Sequence, residues 1–95
     1  MTAKDIFEKL GYEQKENSDE GIQYIKRDKD SELQRVGMIS IKCIEFYISS
    51  KEILVNTTYE HRNEKVSTSD SGILNFEEFN AVQKQVLELG WQLGD

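Results

Sequence analysis

The chain closes two segments in the same way. Leu10-Gly11-Tyr12 and Leu89-Gly90-Trp91 each follow an amphipathic run. A glycine just past the last periodic residue is where a helix ends in the left-handed conformation. The aromatic after it stands where a Schellman motif folds an apolar side chain back onto the helix, Tyr12 onto Phe7 and Trp91 onto Val86. The starts are marked as well. Thr2 with Asp5, and Asn75 with Glu78, each have capping-box spacing. The spacing predicts helices over residues 3–10 and 76–89. Ala3, Ile6, Phe7 and Leu10 line the apolar face of the first. Phe76, Phe79, Val82, Val86, Leu87 and Leu89 line that of the second. The shared ending reads as one capping solution used twice rather than as an internal duplication.

Between the helices the apolar period changes from helical to two. Residues 12–16 read as a weak polar strand, followed by the turn cluster Asn17-Ser18-Asp19-Glu20-Gly21. Residues 22–27, 36–48 and 53–60 read as strands, with a charged loop from Asp28 to Glu32 and a turn from Ser49 to Glu52. Residues 61–74 are polar and loop-like, with room for a short edge strand around Val66. The stretch 36–48 changes parity. Ile39, Ile41 and Cys43 share one face, then Ile44, Phe46 and Ile48 share one. Burying both sets together calls for a β-bulge near Lys42–Ile44. Short connections imply antiparallel pairing. The expected fold is a single two-layer α+β domain over residues 1–95, ordered α-β-β-β-β-α. It has an antiparallel sheet of about four strands with both helices on one face. Ile6, Phe7, Leu10, Ile25, Ile41, Phe46, Val55, Phe79, Val82, Val86 and Leu89 are its expected core.

Composition narrows the function classes. The chain has 95 residues, no proline, six glycines and one cysteine. That suits one small core without disulfides, as in a reducing cytoplasm. No apolar run approaches the ~20 residues of a membrane span, and no secretory signal is expected. Eighteen acids against twelve bases give a net charge of −6. Nonspecific nucleic-acid binding needs the opposite sign. The acids concentrate at the ends: residues 1–20 hold six acids and three bases, and residues 70–95 five and one. The middle segment is nearly balanced.

Motifs for chemistry are sparse. Residues 67–78 resemble an EF-hand loop with Gly72 at the sixth position, Leu74 at the eighth and Glu78 at the twelfth. Ser67, Ser69 and Ser71 stand where that loop carries its ligands, and the acid at the first position is missing. A polar loop entering a capped helix is the simpler reading, and no calcium site is expected. Asp28-Lys29-Asp30-Ser31-Glu32 lacks the glycine and places Ile39 at the twelfth position. His61 is the sole histidine, so no zinc cluster is available. Cys43, among isoleucines, reads as a small core residue rather than a nucleophile. Neither a phosphate-binding glycine loop nor a dinucleotide fingerprint occurs, and no cofactor is implied. Asn56-Thr57-Thr58 matches a glycosylation acceptor, which matters only on secretion. Gln83 falls within the apolar arc of the second helix and reads as a bonded interfacial amide. Lys26, Arg27, Lys29 and Arg35 gather at one end of the sheet as a solvated cluster.

The two ends also carry a resemblance. Thr2 to Tyr12, TAKDIFEKLGY, and Leu74 to Trp91, LNFEEFNAVQKQVLELGW, resemble a group of short phage and prophage proteins of Gram-positive bacteria. Those proteins open with a helix ending in Leu-Gly-Tyr. They close with a helix that has an Ala-apolar-x-x-Gln core, here Ala81 to Gln85, and ends in Glu-Leu-Gly-Trp, here Glu88 to Trp91. The resemblance covers about 30 of the 95 residues and rests on structural motifs. It implies a phage or prophage accessory protein in the host cytoplasm and carries over no catalytic residue.

The leading expectation is therefore a non-enzymatic module that binds a host or phage protein, without nucleic acid, membrane, metal or cofactor. The acidic Glu77, Glu78 and Glu88 are its candidate contacts, chosen for charge complementarity to a basic partner. A second reading is an acidic inhibitor that mimics nucleic acid on a defence or replication protein. A third is a small hydrolase using Glu77, Glu78 or His61. They differ in what they need. The mimic needs a continuous acidic stripe, the enzyme a pocket with perturbed titrating groups, and a plain interaction domain an exposed apolar patch.

Overall fold

The computed structural model describes residues 1–28, 38–61 and 64–91, with backbone alone at 28, 38, 61 and 64–71. Helix α1, Ala3–Lys9, leads into strands β1 Glu13–Asn17, β2 Gly21–Asp28, β3 Met38–Tyr47, β4 Glu52–His61 and β5 Glu64–Ser71. Helix α2, Phe76–Glu88, follows them. The strands form one antiparallel meander in the order β1-β2-β3-β4-β5. This is the expected α+β arrangement. The edge strand foreseen around Val66 is β5, which takes up much of the segment read as loop.

Both capping devices are present at each helix. Thr2 Oγ1 accepts from the Asp5 amide and Asp5 returns a carboxylate to the Thr2 amide. Asn75 and Glu78 do the same for α2. Gly11 and Gly90 have φ of 97° and 75°. The Tyr12 amide donates to Phe7 O at 2.9 Å and the Trp91 amide to Val86 O at 3.2 Å, the long bond of the Schellman motif. The Tyr12 ring stands edge-on to Phe7, centroids 5.5 Å apart, and Trp91 lies 6.4 Å from Phe46.

The core lies between the helices and one sheet face. Phe7, Tyr12, Ile22, Tyr24, Ile44, Phe46, Ala81 and Val82 form one buried cluster. Phe7 stacks on Tyr24 at 4.0 Å. Ile6, Leu10, Val55, Val86 and Leu89 are half-buried against it.

Two expectations fail, each for a physical reason. Strand β3 has no bulge: Gly21↔Tyr47 through Asp28↔Ser40, and Met38↔His61 through Tyr47↔Glu52, run residue by residue. A bulge in this strand would disrupt the ladder on both sides. The register irregularities fall instead between Gln14 and Glu16 on β1 and between Tyr59 and His61 on β4. Strict alternation then puts Ile44 and Phe46 under the helices and sends Ile39, Ile41 and Cys43 to the far face. Ile25, paired with Cys43, goes with them and is only half-buried. The second failure is Phe79, expected in the core and 52% exposed. Helix α2 buries the arc of Glu78, Ala81, Val82 and Gln85. The broad apolar set read from the sequence was wider than the face that one helix can bury.

Candidate functional site

The buried end of α2 is organised around Glu78, which is 3% exposed. Its carboxylate accepts from the Asn75 amide at 3.0 Å, from Lys42 Nζ at 2.7 Å and from the Tyr12 hydroxyl. Burial alone pushes this carboxyl up. The Asn75 amide, the Lys42 ammonium and the Tyr12 hydroxyl outweigh burial and hold it below its usual range. The Tyr12 phenol is driven far upward by burial and by its bond to Glu78. Lys26 lies over the Tyr12 ring, Nζ 5.8 Å from the centroid. The node is an ion pair with every oxygen bonded, the condition under which a buried charge is tolerated.

Strands of ten residues, β3 and β4 among them, span about 33 Å, whereas the thirteen residues of α2 span about 20 Å. The sheet thus outreaches its helical cover. Beside the N-terminus of α2 this leaves a cleft of about 320 Å³ lined by Lys26, Ser40, Lys42, Thr57, Tyr59 and Asn75. A shallower groove of about 360 Å³ crosses the far sheet face over Ile25, Ile41, Cys43 and Asn56. There Asn56 Oδ1 is buried without a partner among the described residues. Burial and the neighbouring Glu45 carboxylate push the Cys43 thiol up to about 11. Its Sγ donates to Glu45 Oε1 at 3.3 Å and accepts from Gln23 at 3.5 Å. A thiol held protonated in this way is a poor nucleophile at neutral pH.

The three acids proposed from sequence do not form one surface. Glu77 is exposed. Glu78 is interior, so reversing its charge would strike the core rather than a contact surface. Glu88 is exposed, and its Oε2 accepts from the Ala3 amide at 2.8 Å, joining the last turn of α2 to the first of α1. Gln83 is exposed too. The interfacial amide is Gln85, whose Oε1 accepts from the Tyr24 hydroxyl at 2.6 Å. It was legible in principle, since it lies three residues past Val82 and four past Ala81 on the buried arc.

The basic cluster also divides. Lys26 and Arg27 are successive strand residues and so point to opposite faces. Lys29 and Arg35 lie outside the described residues, as does the side chain of His61. Residues 64–71 are extended strand rather than loop, and Gly72 serves a close approach: an added Cβ would stand 2.3 Å from Val55 Cγ1. Among the described residues, no three His, Cys, Asp or Glu side chains gather as metal ligands would. No helix among them is long and apolar enough to cross a membrane.

The surface of α2 holds what the sequence did not locate. Phe76 is 77% exposed, Phe79 52%, Leu87 65%, and Ile73 just before the helix 80%. Phe76, Phe79, Gln83 and Leu87 fall within an arc of about 80° at the helical period, on the side away from the core. No protein family, curated protein or solved structure matches this chain. The stripe and the polar cleft therefore stand on their own geometry. The stripe suits docking of an apolar surface. The cleft has its carboxylate and one of its lysines already paired with each other.

Proposed function

We propose that this chain is a non-enzymatic protein-binding module, a phage or prophage accessory protein acting on a host or phage protein in the host cytoplasm. The observation that carries the reading is the apolar stripe of Phe76, Phe79 and Leu87 on the outer face of α2, with exposed Ile73 just before the helix. Contiguous exposed apolar side chains on a small acidic domain favour association, because an isolated chain gains nothing by keeping them in water. The phage setting rests on the resemblance of the two chain ends. The contact surface differs from the acidic one expected from sequence: with Glu78 interior and Glu88 bonded to α1, the docking residues are apolar and Glu77 lies beside them. The reading of an acidic nucleic-acid mimic loses support on α2 for the same reason.

The test is affinity capture from host lysate with the wild-type chain and with Phe76→Gln/Leu87→Gln. Both substitutions are exposed and favourable to helix, so the thermal midpoint should hold within a few degrees. Loss of a wild-type partner by the double variant supports the reading. Equal capture by both would place binding elsewhere and end the role given to α2.

A further inference from the structure

We infer that the occupant of this stripe is a second copy of the same chain, docked as an antiparallel pair of α2 helices. The inference rests on the binding-module reading above and names its partner.

The outer face of α2 is self-complementary. A two-fold interface sets the same patch against itself, so each residue at one distance from the axis meets the residue at that distance on the other side. In an antiparallel helix pair the matching flanks face each other. Glu77 and Lys84 are two turns apart on one flank of α2, bordering the stripe, and carry opposite charges. A two-fold axis between Asn80 and Ala81 brings Glu77 of each copy to Lys84 of the other. The stripe positions share that axis. The midpoint of Phe79 and Gln83 falls at Ala81, and that of Phe76 and Leu87 half a residue beyond. These and the midpoint of the charged pair lie within about 1.5 Å of rise of one another. One axis therefore aligns both the charged pair and the stripe. A uniformly basic partner would be opposed by Lys84, and a plain apolar partner gives the alternation of Glu77 and Lys84 no role. The contact is one helix face about 20 Å long. It is smaller than a standard stable interface, so the dimer should be reversible rather than obligate.

Sedimentation velocity of the purified full chain, from about 10 µM to 1 mM, reads this directly. The expected result is a concentration-dependent shift from monomer to dimer. Phe76→Gln/Leu87→Gln should weaken the dimer about tenfold or more with the thermal midpoint preserved. Glu77→Lys should weaken it about fivefold by setting like charges together. Adding Lys84→Glu should restore it, because the swapped pair regains opposite charges across the axis. Rescue by the double swap is a signature that a foreign partner would not give. A chain monomeric to 1 mM that still captures a lysate protein through the stripe overturns the second copy and leaves the binding-module reading standing. A dimer unaffected by either set of substitutions overturns it as well, since the copies would then meet on another face. If the stripe substitutions alter neither dimerisation nor capture, the role given to α2 in the binding-module reading falls too.

Discussion

Glu78 combines a helix cap with a buried ion pair. Its carboxyl is held below the ordinary value of 4.5 in the folded chain. A group whose folded pKa is depressed contributes stability above its unfolded pKa and loses it as pH falls through the folded value. Chemical denaturation should therefore show stability falling below about pH 4.5, and Glu78→Gln should flatten that acid limb. The same substitution leaves Lys42 without its charge partner and should cost about 2–4 kcal/mol at neutral pH. Gly72→Ala would place a Cβ 2.8 Å from the Val55 carbonyl carbon, a backbone contact that no rotamer relieves, and should cost about 1–3 kcal/mol. Lys51 presents the reverse case. It holds φ of 56° in the β3–β4 turn, so Lys51→Gly should stabilise the fold by up to about 1 kcal/mol. Cys43 gives a chemical readout. With its thiol near 11 against an ordinary 9.0, native-state alkylation at pH 7.5 should run about a hundredfold slower than that of the same cysteine in the denatured chain.

At the level of elements, the helix ends show how local chemistry becomes tertiary structure. Each Schellman motif brings an aromatic to the core as well as closing its helix: Tyr12 reaches Glu78 on α2, and Trp91 lies beside Phe46 on β3. Trp91 is half-buried against the core, as its position after Gly90 implied. Trp91→Ala should lower stability by about 2–4 kcal/mol in thermal or urea unfolding, while an unchanged midpoint would mean that the ring contributes no packing. The pairing of β3 resolved its parity change by exposure rather than by a bulge. The sequence pattern named the two apolar sets correctly. Which set faces the helices was decided by register with β2, where Ile22 and Tyr24 lie opposite Phe46 and Ile44. In α2 the local pattern marked the caps and the apolar residues. It could not tell inward apolar residues from outward ones, because six large apolar side chains exceed the arc that packs on the sheet.

For the whole molecule, the decisive feature is a short helical layer on a longer sheet. That mismatch opens the cleft beside Asn75. The described acids of the two ends are divided among the interior ion pair of Glu78, the tie of Glu88 to α1, the Asp5 cap, surface pairs with Lys4 and Lys15, and solvent. Salt should therefore affect association less than an acidic docking face would require, because apolar contact is not screened. Isothermal titration of whatever partner the stripe captures, at low and high salt, checks this. A loss of affinity of several orders of magnitude at 0.5 M salt would restore the acidic surface as the contact.

The sequence by itself determined the caps, the two glycine stops, the change of period between the helices and the antiparallel order of the strands. These depend on backbone sterics and on bonds among residues a few positions apart. Tertiary structure decided the sites. Glu78 and Glu77 are neighbours in the chain and equal in chemistry, yet one meets Lys42 from β3 and Tyr12 from the α1–β1 turn while the other is exposed to water. Gln85 rather than Gln83 faces Tyr24, and Phe79 rather than Val82 faces out. Each outcome depends on which side of a helix lies over the sheet, a choice made by the summed packing of Phe7, Tyr24 and Phe46 that no local window contains.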